Sequence, residues 1–372
     1  MQARSRRGAT LVASSVLVLS LLLGGQGVLA NPWSLRREPS RFVTAPWAQA
    51  MKETVETLGR RFPGRFGIVV SDVDRGFRYG HNEDRAFYLA SAVKLAFMIE
   101  VFRQRERGHL RFEDTLTYGP EDIRDGSPRL HDVAEGSKVT IAELLDLMIR
   151  SSDNAASDLL SRHVGLENIE RGLRDEGLKG FSRLTYMIDV RRGVYRGVDV
   201  RADDFTPFEV RALRWTPVWE PQVAKLNETL GVPEGTYTKA DLLLGYDRFF
   251  ATGVNRAPLR SIGRLFERML TGKLVSRKAS LEMLELLTGA RTSTARILGR
   301  LPPGTLVAHK TGSQWQHLCD MGVIQLPDKS PLIVAACAEK GEPDPSERLV
   351  ARLARRAYDL ASQDHAKTSP HH

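Results

Sequence analysis

The sequence predicts a mixed α/β (α+β) fold in which an antiparallel sheet formed by both chain ends, with flanking helices, holds an inserted all-helical domain. Two observations lead there. Strand-like runs occur only near the ends: Phe66-Gly67-Ile68-Val69-Val70-Ser71-Asp72-Val73 before a turn at Asp74-Arg75-Gly76, and residues 321–326 and 332–338 around Pro327-Asp328-Lys329-Ser330-Pro331. Between about residues 91 and 300 the apolar positions recur at helical spacing instead. Strands from opposite ends share one sheet when the helical stretch between them forms its own layer beside it.

Taken in order, residues 1–30 carry Arg4, Arg6 and Arg7, an apolar stretch over 11–23, and Val28-Leu29-Ala30, the pattern of a cleavable signal peptide. The stretch stops at Gly24-Gly25-Gln26, short of a membrane span, so no stable membrane anchor is expected after cleavage. An exported product, periplasmic or secreted, follows; Ser5-Arg6-Arg7 leaves general secretory and twin-arginine export both open. Residues 31–45, rich in Pro and Arg, read as a surface linker. The main domain is expected over 46–362, starting with a helix over 46–61 and a hairpin completed by Phe77-Arg78-Tyr79-Gly80. It ends in an amphipathic helix over 348–361, followed by a polar tail over 363–372. Cys319 and Cys337 lie on the two strands of the second hairpin, within about one residue of facing each other. Export permits a disulfide, but two buried thiols need no special geometry and are the expectation.

Composition narrows the function. Without residues 1–30, 342 of the 372 residues remain, ample for a sizeable core and compatible with one large domain or two interleaved ones. The formal charge is +9, and loss of Arg4, Arg6 and Arg7 would lower it by three. A modest positive excess suits an anionic cell envelope and carboxylate-bearing substrates. The basic residues are scattered along helices and not interleaved with aromatics, which argues against nucleic acid. The nine histidines lack close ligand spacing, His371-His372 is a terminal pair, and no glycine-rich phosphate loop occurs, so neither metal nor cofactor is expected. A monomer is expected.

Three short motifs carry chemistry. Ser91-Ala92-Val93-Lys94 opens a strongly apolar run to Ile99, so serine and lysine share one face of a buried helix near its positive end. A desolvated lysine loses basicity until it can take a serine proton, which is how a weak nucleophile is activated. Alone the pattern is common, and a capping serine with a solvated lysine is then the better explanation. Ser152-Asp153-Asn154 follows a second apolar helical run over 141–149, and Lys310-Thr311-Gly312 ends the strand-like Gly304-Thr305-Leu306-Val307-Ala308. In this order and context the three motifs resemble those of the class A β-lactamase-like, penicillin-recognising serine hydrolases of the β-lactamase / DD-peptidase superfamily.

That resemblance implies a β-lactamase/transpeptidase-like architecture with its site in the cleft between the two parts. It also implies roles. Ser91 would attack an amide carbonyl to form an acyl-enzyme, Lys94 would help deprotonate it, and Ser152 would relay a proton to the leaving nitrogen. Asn154 would bind the substrate's side-chain amide, and Lys310, Thr311 and Ser313 its carboxylate. Backbone N–H groups of Ser91 and Ser313 would form the oxyanion hole. Gly312 would let substrate lie close to the strand edge, and Asp153 reads as a capping residue. His309 reads as a packing or hydrogen-bonding residue.

Two departures bear on which reaction follows. The Glu-x-x-Leu-Asn segment that supplies the deacylating base in class A enzymes is absent. Its nearest echo is Trp219-Glu220-Pro221-Gln222-Val223-Ala224-Lys225-Leu226-Asn227, with three extra residues, far downstream of Ser152, in an enlarged loop region over about 184–255. Glu220 is the candidate base by that echo; a surface residue in a proline-rich loop is the alternative. Residues 314–327 also contain no arginine or lysine to hold a substrate carboxylate, and carry His317 and Asp320 instead. The expected function is therefore a secreted β-lactamase-like hydrolase that opens β-lactam amides through an acyl-serine. The alternatives are a DD-peptidase or other envelope amide hydrolase only acylated by β-lactams, and an inactive binding protein that keeps the cleft.

Overall fold

Alternating small and branched apolar residues build the centre of the molecule, a six-stranded sheet. The computed structural model describes residues 31–126 and 129–368; the proposed signal peptide lies outside them. The strands are β1 (Val43–Thr44), β2 (Arg65–Asp72), β3 (Phe77–His81), β4 (Ala86–Tyr88), β5 (Thr115–Thr117), β6 (Lys138–Thr140), β7 (Arg256–Pro258), β8 (Val307–Gln314), β9 (His317–Gln325) and β10 (Pro331–Glu339). The main sheet runs β1-β3-β2-β10-β9-β8, antiparallel except where β1 pairs with β3. An N-terminal strand, β2, thus pairs with the last strand, β10, and the motif strand β8 forms one edge. β4–β7 and β5–β6 are separate two-stranded ribbons.

Because successive strand residues point to opposite faces, each strand feeds two cores. Ile68 and Val70 of β2, with Val334 and Ala336 of β10, pack against Met51 and Val55 of α1 (Ala48–Gly59) and Leu353, Ala354 and Ala357 of α12 (Pro343–Thr368). Their neighbours Val69, Ile333 and Ala335 face the helical part. There α10 (Leu259–Leu270) packs against them, in a core shared with α2 (Lys94–Glu106), α3 (Ile141–Arg150), α4 (Asn154–Val164), α5 (Leu166–Asp175) and α11 (Arg277–Thr288). Burial on both faces is why these strands read as continuous apolar runs.

Four expectations change. Residues 184–255 are no loop. They form α6 (Met187–Arg196), α7 (Pro207–Trp215), α8 (Glu220–Thr229) and α9 (Lys239–Ala251), around a core that includes Val194, Val210, Leu213, Leu226, Leu242 and Phe249. Capping boxes at Thr206/Glu209 and Thr238/Asp241 start two of these helices by satisfying their free N–H groups. The 31–45 segment is anchored: Trp33 is buried and donates its indole N–H to Thr288 Oγ1 at 2.7 Å, and Val43–Thr44 adds a strand. The polar tail is helical to Thr368, because His365 is buried against Asp72 and Asp328, each at 2.7 Å. Finally, Cys319 and Cys337 are disulfide-bonded. The hairpin register sets them directly opposite, 4.1 Å apart at Cα, the close spacing of a pair whose side chains adjoin.

Candidate active site

Ser91 sits on a tight turn, not within a long helix. After β4 the chain makes a 3-10 turn, Ala90–Val93, entered through Ala90 at φ +47°, and α2 begins at Lys94. Ten consecutive α2 residues, Lys94 to Arg103, are buried, so the turn rests on a fixed base. Its other support is β8. A Cβ on Gly312 would stand 2.1 Å from Leu89 O, 2.8 Å from Ala92 N and 3.1 Å from Ser91 N. Gly312 therefore makes room for the backbone that carries Ser91, not for substrate along the strand.

Lys94 reaches under this turn into the α3–α4 junction. It is fully buried, and its Nζ donates to Ser152 O at 2.6 Å, Asn154 Oδ1 at 2.7 Å, and Ser152 Oγ and Asp153 O at 3.4 Å. None of these bonds goes to Ser91 Oγ; such contacts commonly tighten only when substrate is bound. Burial pulls Lys94 down to about 7, against the attraction of Asp153, Asp158 and Asp125. Lys310, also fully buried, donates to Ser152 Oγ at 2.9 Å and Thr311 O at 3.0 Å. Burial, and then the Lys94 charge, lower it well below the ordinary lysine range. Ser152 Oγ thus receives hydrogen bonds from both amines.

The junction is held under strain. Ser152 has φ +58°, a conformation unfavourable for a residue with a Cβ and frequent at functional sites. Asp153 caps α4, accepting from Ala156 N–H at 2.9 Å. Asn154 donates its Nδ2 to Asp125 O at 2.8 Å, so its amide is fixed between Lys94 and Asp125.

Thr311 and Ser313 lie on opposite sides of Gly312 in sequence and on one face of β8. Thr311 Oγ1 pairs with Thr292 Oγ1 at 2.7 Å, and Ser313 is exposed at the site. Ser313 Oγ accepts from Arg296 Nη2 at 2.5 Å, while Arg296 Nη1 donates to Gly312 O and Cys319 O at 3.0 Å. Arg296, from the segment preceding β8, thus sets a guanidinium beside Ser313, where 314–327 offers no arginine or lysine. No local pattern marks it in the sequence. His309 and Asp320 form a buried pair at 2.8 Å, and Asp320 also accepts Ile297 N–H at 3.0 Å, so both serve the packing of this strand pair. His317 is likewise buried, its ring against Phe250.

The cavity beside Ser91 is small, about 30 Å³, and α6 forms its far wall through Met187, Val190 and Arg191. Tyr88, Ala90, Asn154, Ser313 and Gln314 join Ser91 in the rest of the lining. Among the described lining residues there is no carboxylate. Arg191 grips Asp125 through Nε at 3.1 and 3.0 Å and Nη2 at 2.7 Å, and donates Nη1 to Gln314 Oε1 at 2.6 Å. Larger hollows of about 520 and 590 Å³ open elsewhere and share no residue with this cluster.

Glu220 is not brought to the site. It is exposed at the start of α8, 3.9 Å from Lys239 Nζ. Trp219-Glu220-Pro221 is a helix start, with Pro in the first turn and an acidic residue at the positive end. The Leu226-Asn227 that completes the echo is internal to this lobe: Asn227 donates to Val223 O and Tyr237 O and accepts Tyr237 N–H.

Residues 50–361 match the model of the beta-lactamase enzyme family. The chain belongs to that family, and it is a serine β-lactamase-like hydrolase. It is 21% identical to beta-lactamase VEB-1 of Pseudomonas aeruginosa over 85% of this chain and 93% of that one. With the extended-spectrum beta-lactamase PER-1 of the same organism it shares 22% over 89% and 94%. Among solved structures, a beta-lactamase from Chitinophaga pinensis superposes with TM-score 0.64 at 20% identity, covering 84% of this chain and 99% of that one. PBP-A superposes with TM-score 0.65 at 17% identity, covering 89% and 100%.

Proposed function

We propose that Ser91 opens amides, β-lactams among them, through an acyl-serine, with Lys94, Ser152 and Lys310 moving the protons. The observation that carries this is the chain Lys94–Ser152–Lys310, two desolvated amines on one hydroxyl beside a serine turn. A lysine near 7 is about half neutral at pH 7 and can act as a base. Ser91 Oγ adds to the carbonyl carbon as its proton passes to Lys94; the C–N bond then breaks, and the nitrogen takes a proton through Ser152. Ser91 and Ser313 N–H groups stabilise the oxyanion, each such donor being worth about 3–4 kcal/mol. Asn154 is the donor for the acyl-side amide. Thr311 and Ser313, backed by Arg296 and Lys310, receive the carboxylate. The closing step, water attacking the ester, regenerates Ser91.

A second reading, an enzyme that β-lactams acylate faster than water releases, is favoured by the lack of a lining carboxylate among the described residues. Glu220, exposed and paired with Lys239, has no part in it. Export, with removal of residues 1–30, completes the proposal and would place the site near envelope amides; action as a monomer is part of it. Incubation with a chromogenic cephalosporin, followed by absorbance and intact mass, tests both readings. An adduct in wild type that is absent from Ser91→Ala supports acylation at Ser91. Adduct in both proteins would overturn it, and a standing adduct with little colour change selects the second reading.

A further inference from the structure

The wall opposite Ser91 carries a feature that acylation alone does not use. Arg191, from α6, spans the mouth of the cavity to Gln314 at the end of β8, and its other two nitrogens hold Asp125 on the facing loop. One guanidinium thus joins three walls. With it in place the cavity is about 30 Å³, whereas small-molecule sites are usually about 300–1,000 Å³. A substrate group that occupies this corner must displace the Arg191–Gln314 contact.

The bond that gives way is the one to Gln314. Asp125 is a carboxylate, buried, and held below the usual range because Arg191 and Arg214 outweigh the effect of burial. Gln314 offers a neutral amide oxygen, and its Nε2 is buried without a hydrogen-bond partner among the described residues. Closing the clasp therefore leaves a donor unmet on Gln314, and opening it lets that nitrogen reach water. On the other side, Arg191 and Arg214 share the single carboxylate of Asp125, with Arg214 Nε at 3.4 Å. One positive charge remains in excess, and Arg191 is the formally charged side chain among the described lining residues.

Resting on the acyl-serine reading above, we propose that Arg191 determines specificity: it admits substrates whose acyl side chain bears a carboxylate, which replaces Gln314 on Nη1. The position fits the acyl side, since Asp125 O is also the acceptor for Asn154 Nδ2. A carboxylate exchanges a neutral acceptor for an ionic one in a poorly solvated place, and charge-assisted bonds of this kind are about twice as strong as neutral ones. A neutral acyl group must break the clasp and put nothing in its place.

The test compares acylation rates, by intact mass, for two penicillins that differ in an α-carboxylate on the benzyl side chain. Wild type should react about tenfold faster, or more, with the carboxylated one. Arg191→Met should bring the two rates within about twofold of each other, with Arg214 still neutralising Asp125 and keeping the fold. Gln314→Ala, a half-buried position at a strand end, should speed the neutral penicillin and narrow the ratio. Equal rates in wild type, or discrimination that survives Arg191→Met, overturns the inference while leaving acylation standing. Absence of adduct with both penicillins in wild type and in Gln314→Ala overturns the acyl-serine reading and this inference with it.

Discussion

Gly312→Ala is a sharp probe of how the nucleophile is positioned, because the two accounts of this glycine differ in what a methyl group would strike. The new Cβ would stand 2.1 Å from Leu89 O and 2.8 Å from Ala92 N. Ordinary contact needs about 3.4 Å or more, so the turn carrying Ser91 and the strand must separate by roughly 1 Å. The strand is the less free to move. It is paired with β9 along its length, and Arg296 holds Gly312 O at 3.0 Å. The Ser91 turn takes up the shift, and misplacement of a reacting atom by about 1 Å costs on the order of 10²-fold in rate. Overpacking of this kind also costs about 1–3 kcal/mol of stability. The expected result is acylation by penicillin slowed about a hundredfold, with a lower urea midpoint and unchanged far-ultraviolet circular dichroism. Acylation within threefold of wild type and an unchanged midpoint would refute the reasoning, since the methyl group would then have found room the backbone does not offer.

Three further outcomes follow from the charges. Acylation should rise with pH through about 7 and level off above it, because Lys94 is a base only once it has lost its proton; rates that stay flat between pH 5.5 and 8.5 would exclude Lys94 from that role. Glu220→Gln should leave both adduct formation and its decay within about twofold of wild type, as measured by mass against time, for a side chain exposed on α8. His365 between Asp72 and Asp328 is raised above the ordinary histidine value, first by its hydrogen bond to Asp72. Its contribution is thus complete below about 6.5 and is lost as pH rises through the raised value. His365→Ala should cost about 1–3 kcal/mol in urea unfolding at pH 6 and less at pH 9, and an equal cost at both would remove the charge from the account.

What was legible in the sequence was local. Residues 66–73 and 332–338 read as strands because nearly every residue there is apolar or small, and Ser152-Asp153-Asn154 reads as a helix junction because Asp153 caps the helix it precedes. The missed parts are pairs distant in sequence. His365 with Asp72 and Arg191 with Asp125 or Gln314 join elements that only the fold brings together, and the polar residues around His365 look like a tail until Asp72 is seen to receive it. The disulfide depended on register, which one residue more in the turn would have undone. Glu220 misled for the opposite reason. Its Trp-Glu-Pro context was real local information, but about where a helix begins and not about which group faces water near Ser91.

On the proposed reading, the lobe formed by α6 to α9 decides what the site does after acylation. Everything the first half-reaction needs comes from places where an element changes: the turn before α2, the α3–α4 junction, and the end of β8. The second half-reaction needs a group that draws a proton from water on the far side of the ester, and that side is walled by α6. There α6 presents a thioether, an isopropyl group and a guanidinium: Met187, Val190 and Arg191. The first two take no proton from water, and a guanidinium does not give up its own at neutral pH. A general base is worth about 10²–10⁴-fold, so a wall with none among its described residues would, on the proposed reading, slow the second half-reaction by that order. On the proposed reading an acyl-serine would then form faster than water releases it, and the inferred role of Arg191 would decide which substrates are captured.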